Sequence, residues 1–353
     1  MIGNFIKFME NGYIPDSAIR FGIRQLCDKR LAELHPSTME EKQEQATVYL
    51  EGLRNSPLAI HTNSANDQHY ELPADFFLYV LGKNLKYSSC FWNKETENLD
   101  EAEDLALEAT IERAQIKDGH RILELGCGWG SLTLKMAKKF PNSKIVAISN
   151  SSSQKNFIDL EAKNRGLNNI TILTLDISKL ESLSLGFDSF DRAISIEMFE
   201  HFKNYEILLK NISDVLAPNG KLFVHIFTHK DYSYSFETNG EDNWMGKYFF
   251  TGGQMPSHNL LYCFQKDLYL DKSWSWDGTH YQKTSNAWLQ NMDKNKNHIK
   301  KIFDRTYGAE SVQWFNRWRI FFMSCAELFG HEKGQQWGVS HYLFCKNESS
   351  ITK

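Results

Sequence analysis

The segment Ile122-Leu-Glu-Leu-Gly-Cys-Gly-Trp-Gly130 constrains this chain more than any other. A short apolar run enters closely spaced glycines, and a helix-forming stretch from Ser131 to Lys139 leaves them. Glycine lets the main chain turn into left-handed conformations and bring its amides against a ligand. Dinucleotide-binding turns space their glycines G-x-G-x-x-G. Here the spacing is G-x-G-x-G with Ser131 next, and the Lys-Ser/Thr ending of a P-loop is missing. A tight turn that binds nothing would also use glycine, so the neighbours must decide.

From Asp118 onward the pattern alternates. Arg121 to Leu125 predicts a strand, Ser131 to Lys139 a helix, Lys144 to Ser149 a strand and Ser152 to Arg165 a helix. Ile170 to Leu175 and Phe190 to Ile196 predict further strands, Tyr205 to Leu216 a helix, and Lys221 to Phe227 a strand after the Pro218-Asn219-Gly220 turn. Such alternation predicts a mostly parallel sheet covered by helices on both faces. Residues 1–60 predict helices, as do Leu72 to Leu81 and the amphipathic run Leu99 to Ile116. Asp231 to Ser285 is irregular and aromatic, and is expected to be an insertion rather than another strand-helix unit. Glu310 to Leu328 predicts a long helix, and Trp337 to Cys345 a last strand antiparallel to its neighbour.

Composition narrows the classes of partner. Net charge is −4, so the basic patch needed for nucleic acid or an anionic membrane surface is not indicated. No apolar stretch approaches the ~20 residues of a membrane span, and Met1 to Asn11 does not have the pattern of a signal peptide. The cysteines Cys27, Cys90, Cys127, Cys263, Cys325 and Cys345 are scattered without a C-x-x-C pair. Reduced thiols in a cytoplasmic protein are therefore expected.

Several polar residues fall at strand ends, on the edge where open α/β sheets bind ligands. Glu124 closes the first strand. Asp176 follows the third, where a carboxylate could accept from an adenine amino group, and Ile177 beside it could cover the purine face. Glu197, Glu200 and His201 follow the fourth at i, i+3 and i+4, so a helical turn there would face all of them one way. Carboxylate and imidazole together suit proton transfer near neutral pH. The pattern E-x-x-E-H is not the H-x-x-E-H of a zinc site, and no metal is expected.

The glycine segment resembles motif I of the class I methyltransferases. Lys86-Tyr-Ser-Ser-Cys-Phe-Trp92, Ala147-Ile-Ser-Asn-Ser-Ser-Ser-Gln154 and Ile196-Glu-Met-Phe-Glu-His201 are similar to segments of the cyclopropane fatty acid synthase superfamily. Tyr70-Glu-Leu-Pro73, Glu241-Asp-Asn-Trp244, Tyr248-Phe-Phe-Thr-Gly-Gly253, Met255-Pro256 and Glu327-Leu-Phe-Gly330 resemble its coclaurine N-methyltransferase-like branch, which methylates alkaloid amines.

The resemblance implies a Rossmann-like, seven-strand, mostly parallel sheet with a helical N-terminal cap and an aromatic lid. It implies a cap over 1–117, an S-adenosylmethionine-binding core over 118–227, a substrate-binding lid over 228–308, and a helix and strand over 309–353 completing the core. Tyr87, Ser88, Gly126, Gly128, Asn150, Gln154, Asp176 and Ile177 would hold the cofactor. Glu197, Glu200, His201 and Glu71 would be catalytic. Aromatic rings could wall an amine pocket, with Phe249, Phe250 and Trp337 chosen, although core packing also uses such rings. The expected partner is a small amine, with a homodimer compatible.

Two other functions stay open. A cyclopropane synthase would methylate an unsaturated lipid. Against it, Ser89 falls where those enzymes place a cysteine, and Phe321 or Phe322 where they place a tyrosine, while Glu197 and His225 are retained. A homologue that binds the cofactor without catalysis is the other.

Overall fold

The computed structural model describes residues 2–59, 72–177, 189–238, 240 and 243–346. Glu71 and the neighbouring Tyr70, like Glu241 and Asp242, lie outside the described residues.

The chain opens with α1 (Ile2–Glu10), α2 (Asp16–Leu34) and α3 (Met39–Arg54). Thr38 and Glu41 form a reciprocal capping box at the start of α3, satisfying amides that have no partner within the helix. Next come α4 (Ala74–Val80) and α5 (Leu99–Arg113). The alternating region follows as β1 (Arg121–Leu125), α6 (Ser131–Lys139), β2 (Lys144–Ser149), α7 (Ser152–Asn164), β3 (Ile170–Thr174), β4 (Phe190–Ile196), α8 (Tyr205–Val215) and β5 (Leu216–His229). A small hairpin of β6 (Tyr234–Ser235) and β7 (Gln254–Met255) encloses α9 (Trp244–Tyr248). The chain closes with β8 (Leu268–Asp277), α10 (Thr279–Lys294), α11 (Lys296–Tyr307), α12 (Ser311–Gly330) and β9 (Trp337–Lys346).

The main sheet has seven strands in the order β3-β2-β1-β4-β5-β9-β8. The first five pair in parallel, and β9 runs antiparallel to both β5 and β8. Alternate residues feed the two faces, as a strand's period of two requires. Ile122, Ile194, Phe223 and Leu343 pack under α5 and α6. Leu123, Ala193, Val224 and Tyr342 pack under α8. A separate cluster, rich in rings, joins α4, α10 and α12 to the hairpin region.

The expected sheet is present, with one correction to its bounds. The segment expected as a lid over 228–308 contains β8, which is a strand of the sheet itself. Its sequence, LYLDKSWSWD, hides this. As an edge strand it buries little, charges at Asp271 and Lys272 interrupt its apolar alternation, and its register shifts between Leu270 and Lys272. β5 is also longer than expected, because pairing resumes on both sides of the Pro218-Asn219-Gly220 turn.

After β3 at one edge the chain returns to lay β4 beside β1 on its other side. The carboxyl ends of β1 and β4 therefore flank the topological switch point, where such sheets leave a crevice.

Candidate active site

A cleft of about 1090 Å³ opens at that switch point. Its floor is the turn after β1. Gly126, Gly128 and Gly130 all have positive φ, at 78°, 53° and 80°, which glycine adopts without the clash of a Cβ. A Cβ on Gly130 would fall 2.8 Å from Ile158, so this glycine allows α6 to pack on α7. A Cβ on Gly128 would meet no protein atom within 4 Å, so a side chain there would occupy the cleft.

The residues expected from sequence to hold the cofactor converge here. Tyr87, Ser88, Gly126, Gly128, Asn150, Gln154, Asp176 and Ile177 all line the cleft. Gln154 and Trp129 add buried donors, Gln154 Nε2 and Trp129 Nε1, that have no hydrogen-bond partner among the described residues. Buried donors are rarely left unmet, so these call for a ligand acceptor or water. Glu124, also on the floor, accepts from Thr133 and has its pKa pushed up to about 8 by burial.

The opposite wall comes from the end of β4. Glu197 has φ 46°, a left-handed conformation that costs an L-residue about 1–2 kcal/mol. Its amide first donates to His225 O at 2.8 Å, and the chain then turns sharply into a 3₁₀ turn, Phe199–His201. The turn aims the Glu197 carboxylate into a ring of donors. Ser89 N–H donates to Oε1 at 2.9 Å, Tyr281 O–H donates to Oε2 at 2.7 Å, and His225 Nε2 lies 3.1 Å from Oε1. Burial pushes the Glu197 pKa up, while the Lys86 ammonium, the Ser89 amide and the Tyr281 hydroxyl work against that shift. Lys86 is itself fully buried, donating to Ser88 Oγ at 2.6 Å and Ser89 O at 2.5 Å.

The segment carrying Lys86 to Ser89 is fixed from below. Glu103, completely buried on α5, accepts from the amides of Gly82, Asn84 and Lys86. A charged residue in the middle of an amphipathic helix thus anchors the cleft wall.

The expectation that Glu197, Glu200 and His201 face one way is corrected. The left-handed residue and the 3₁₀ turn break the α-helical geometry on which it rested. Glu197 and His201 line the cleft, whereas Glu200 does not. Glu200 is buried with Oε2 lacking a hydrogen-bond partner among the described residues, and burial together with the Glu197 charge raises its pKa well above the ordinary value. The chosen rings also divide. Phe250 stacks on His201 with centroids 6.0 Å apart, at the margin of the cleft. Phe249 is fully buried and stacks on Phe321 at 4.3 Å, so it belongs to the aromatic core. Trp337 is likewise buried, its indole N–H donating to Tyr234 at 2.9 Å.

Sequence reasoning missed Lys86, Glu103 and Tyr281 as supports. Lysine at position 86 within an otherwise apolar and small-residue segment was the one available signal.

Comparison with known proteins follows the same outline. The family profile of the mycolic acid cyclopropane synthetases matches residues 59–338. The chain is 40% identical to (S)-coclaurine N-methyltransferase of Thalictrum flavum subsp. glaucum, over 98% of this chain and 96% of that one. It is 34% identical to pavine N-methyltransferase of the same plant, over 98% and 97%. The crystal structure of coclaurine N-methyltransferase bound to N-methylheliamine and SAH superposes with a TM-score of 0.93 at 36% identity, covering 98% of this chain and 99% of that one.

Proposed function

The chain belongs to the mycolic acid cyclopropane synthetase family, in its coclaurine N-methyltransferase-like branch, and from that premise we propose that it methylates the nitrogen of a small aromatic or alkaloid-like amine. The methyl donor is S-adenosylmethionine. The observation that carries the amine over a lipid is the extent of the likeness. It covers 98% of this chain and so takes in the N-terminal helices α1 to α3, which lie outside the residues 59–338 that the family profile matches.

The chain's own groups fit the donor and the reaction. On the β1 side, Gly126 and Gly128 offer bare main chain, and Gln154 Nε2 and Trp129 Nε1 offer unmet donors. Tyr87, Ser88, Asn150, Asp176 and Ile177 complete that half of the site. When bound, S-adenosylmethionine would supply an electrophilic methyl group on sulfonium, for transfer in line to the amine lone pair, with the sulfur as leaving group taking the C–S bonding pair. Much of the rate of such a step comes from holding the reactants in line.

On the β4 side, Glu197 accepts the proton that the amine nitrogen must give up, and His201 passes it toward the mouth of the cleft. Ser89, Tyr281 and His225 hold Glu197 as an acceptor. Phe250, stacked on His201, supplies an aromatic face for a cationic or aromatic substrate. Glu200 acts from behind the wall, as a buried carboxyl near Glu197. Glu71 is retained as a substrate-closing residue on resemblance alone. Phe249 and Trp337 support the pocket's shape through the core rather than by touching substrate.

We also place the protein in the cytoplasm, in keeping with cysteines that are all free. Among the described residues, no helix is long and apolar enough to cross a membrane. A homodimer and the lack of a nucleic-acid partner belong to the same proposal, the latter resting on the net charge of −4.

The test is transfer of a labelled methyl group from S-adenosylmethionine to a panel of tetrahydroisoquinolines, phenylalkylamines and unsaturated phospholipid vesicles. N-methylated amine is the expected product. Label in lipid alone would overturn the amine assignment, and binding of donor with no transfer to any acceptor would point to a non-catalytic homologue.

A further inference from the structure

Behind Glu197 a line of buried polar side chains crosses the sheet. His225 Nε2 lies 3.1 Å from Glu197 Oε1, and His225 Nδ1 lies 2.8 Å from His341 Nε2. His341 Nδ1 in turn meets Arg113 Nη1. The histidines are directly opposite one another in the β5–β9 pair, and both are completely buried. Arg113 is the last residue of α5, its guanidinium 5.2 Å from the ring centre of Trp274 and 5.4 Å from that of Trp276. Trp276 also packs edge-on against both imidazoles, at 5.6 Å from His225 and 4.4 Å from His341.

The polarity of this line follows from its outer end. A guanidinium donates and never accepts. His341 Nδ1 must therefore be the acceptor, which leaves its proton on Nε2. That proton is donated to His225 Nδ1, which leaves the His225 proton on Nε2, pointing at Glu197. Burial holds both imidazoles neutral, driving their pKa values well below the usual range, with the Arg113 charge adding to the effect. Each neutral ring has one donor and one acceptor, and both are used. The line therefore cannot carry a proton away from Glu197, because the nitrogen facing the carboxylate is already protonated.

We propose that Arg113 and His341 are positioning residues for methyl transfer: they fix the tautomer of His225 so that it always donates to Glu197, keeping that carboxylate oriented and available as proton acceptor. The inference rests on Glu197 being the acceptor. It also requires that the proton taken from the amine leave through the cleft, past His201, rather than through the sheet.

The first measurement is spectroscopic. Nitrogen-15 spectra of the histidine-labelled full chain at pH 7 should show His225 and His341 as neutral Nε2–H tautomers, assigned by comparison with His341→Gln. An Nδ1–H tautomer or an imidazolium at His225 would overturn the proposal. The second is kinetic. Arg113→Met should lower kcat about tenfold while KM for the amine and the Kd for S-adenosylhomocysteine stay within about twofold, and Arg113→Lys should recover part of the loss. In a Glu197→Gln background, Arg113→Met should have no further effect on kcat, because its influence passes through the missing carboxylate. Wild-type kcat in Arg113→Met, or the same further loss in both backgrounds, would contradict the proposal. If Glu197→Gln itself keeps full activity, the assignment of the acceptor fails, while the spectra still report whether the polar line is arranged as described.

Discussion

The two walls of the cleft are built on opposite principles. The β1 wall is main chain: three glycines in left-handed conformations, with open space at Gly128 where a side chain would stand. The β4 wall is side chain: Glu197, also left-handed but with no glycine to make that easy, held by donors from Ser89, Tyr281 and His225. One wall suits a ligand of fixed shape that must be approached closely. The other concentrates buried charge, where electrostatic effects are strongest and a proton can be placed. The contrast teaches that binding and chemistry here are separable, and each perturbation should move one readout more than the other.

The largest expected effect tests whether the aromatic roof belongs to either wall. Phe249→Ala should destabilise the fold by about 3–5 kcal/mol, because it empties a fully buried site against Phe321. Denaturant unfolding should show this while KM for the amine in the surviving folded fraction changes little. A raised KM with unchanged stability would return Phe249 to the substrate site.

Next come two changes of similar size on opposite readouts. Gly128→Val should weaken S-adenosylhomocysteine binding about a hundredfold, read by calorimetry, because branched carbons would fill the cleft and strain a left-handed residue. His201→Ala should slow turnover about a hundredfold with that binding kept, read by steady-state kinetics. If either variant lost both properties equally, the walls would not be independent.

The smallest effect concerns pH. Burial places the Glu124 pKa near 8 in the folded protein, above its ordinary value of 4.5. The folded state then keeps a proton that the unfolded chain has lost, so Glu124 makes the ligand-free protein less stable as pH rises through that window. Glu124→Gln should remove this dependence and be more stable than wild type at pH 7, measured by thermal unfolding. Parallel stability profiles for the two proteins would show that Glu124 is ionised and compensated.

The same division explains what the sequence revealed. The β1 wall is local: the residues from Ile122 to Gly130 state their own geometry, and Asp176 and Ile177 follow from the end of the third strand, whereas Asn150 and Gln154 were reached through the family resemblance. The parallel strands were legible because buried strands read as apolar runs. β8 was not, because an exposed edge strand carrying Asp271 and Lys272 has no such run. The β4 wall was half legible. E-x-x-E-H marked the place, but the pairing of Glu197 with Ser89 and Tyr281 spans 108 and 84 residues, which no local pattern encodes. The left-handed φ at Glu197 is equally silent in sequence, and it is what turns Glu200 out of the cleft.

The separation of walls is tested most directly by Glu197→Gln, with S-adenosylhomocysteine affinity and amine turnover measured on one preparation. The structure predicts a kcat lower by ~10²–10⁴-fold and a Kd within about threefold of wild type. Turnover near that of wild type, or affinity lost in proportion to turnover, would contradict it.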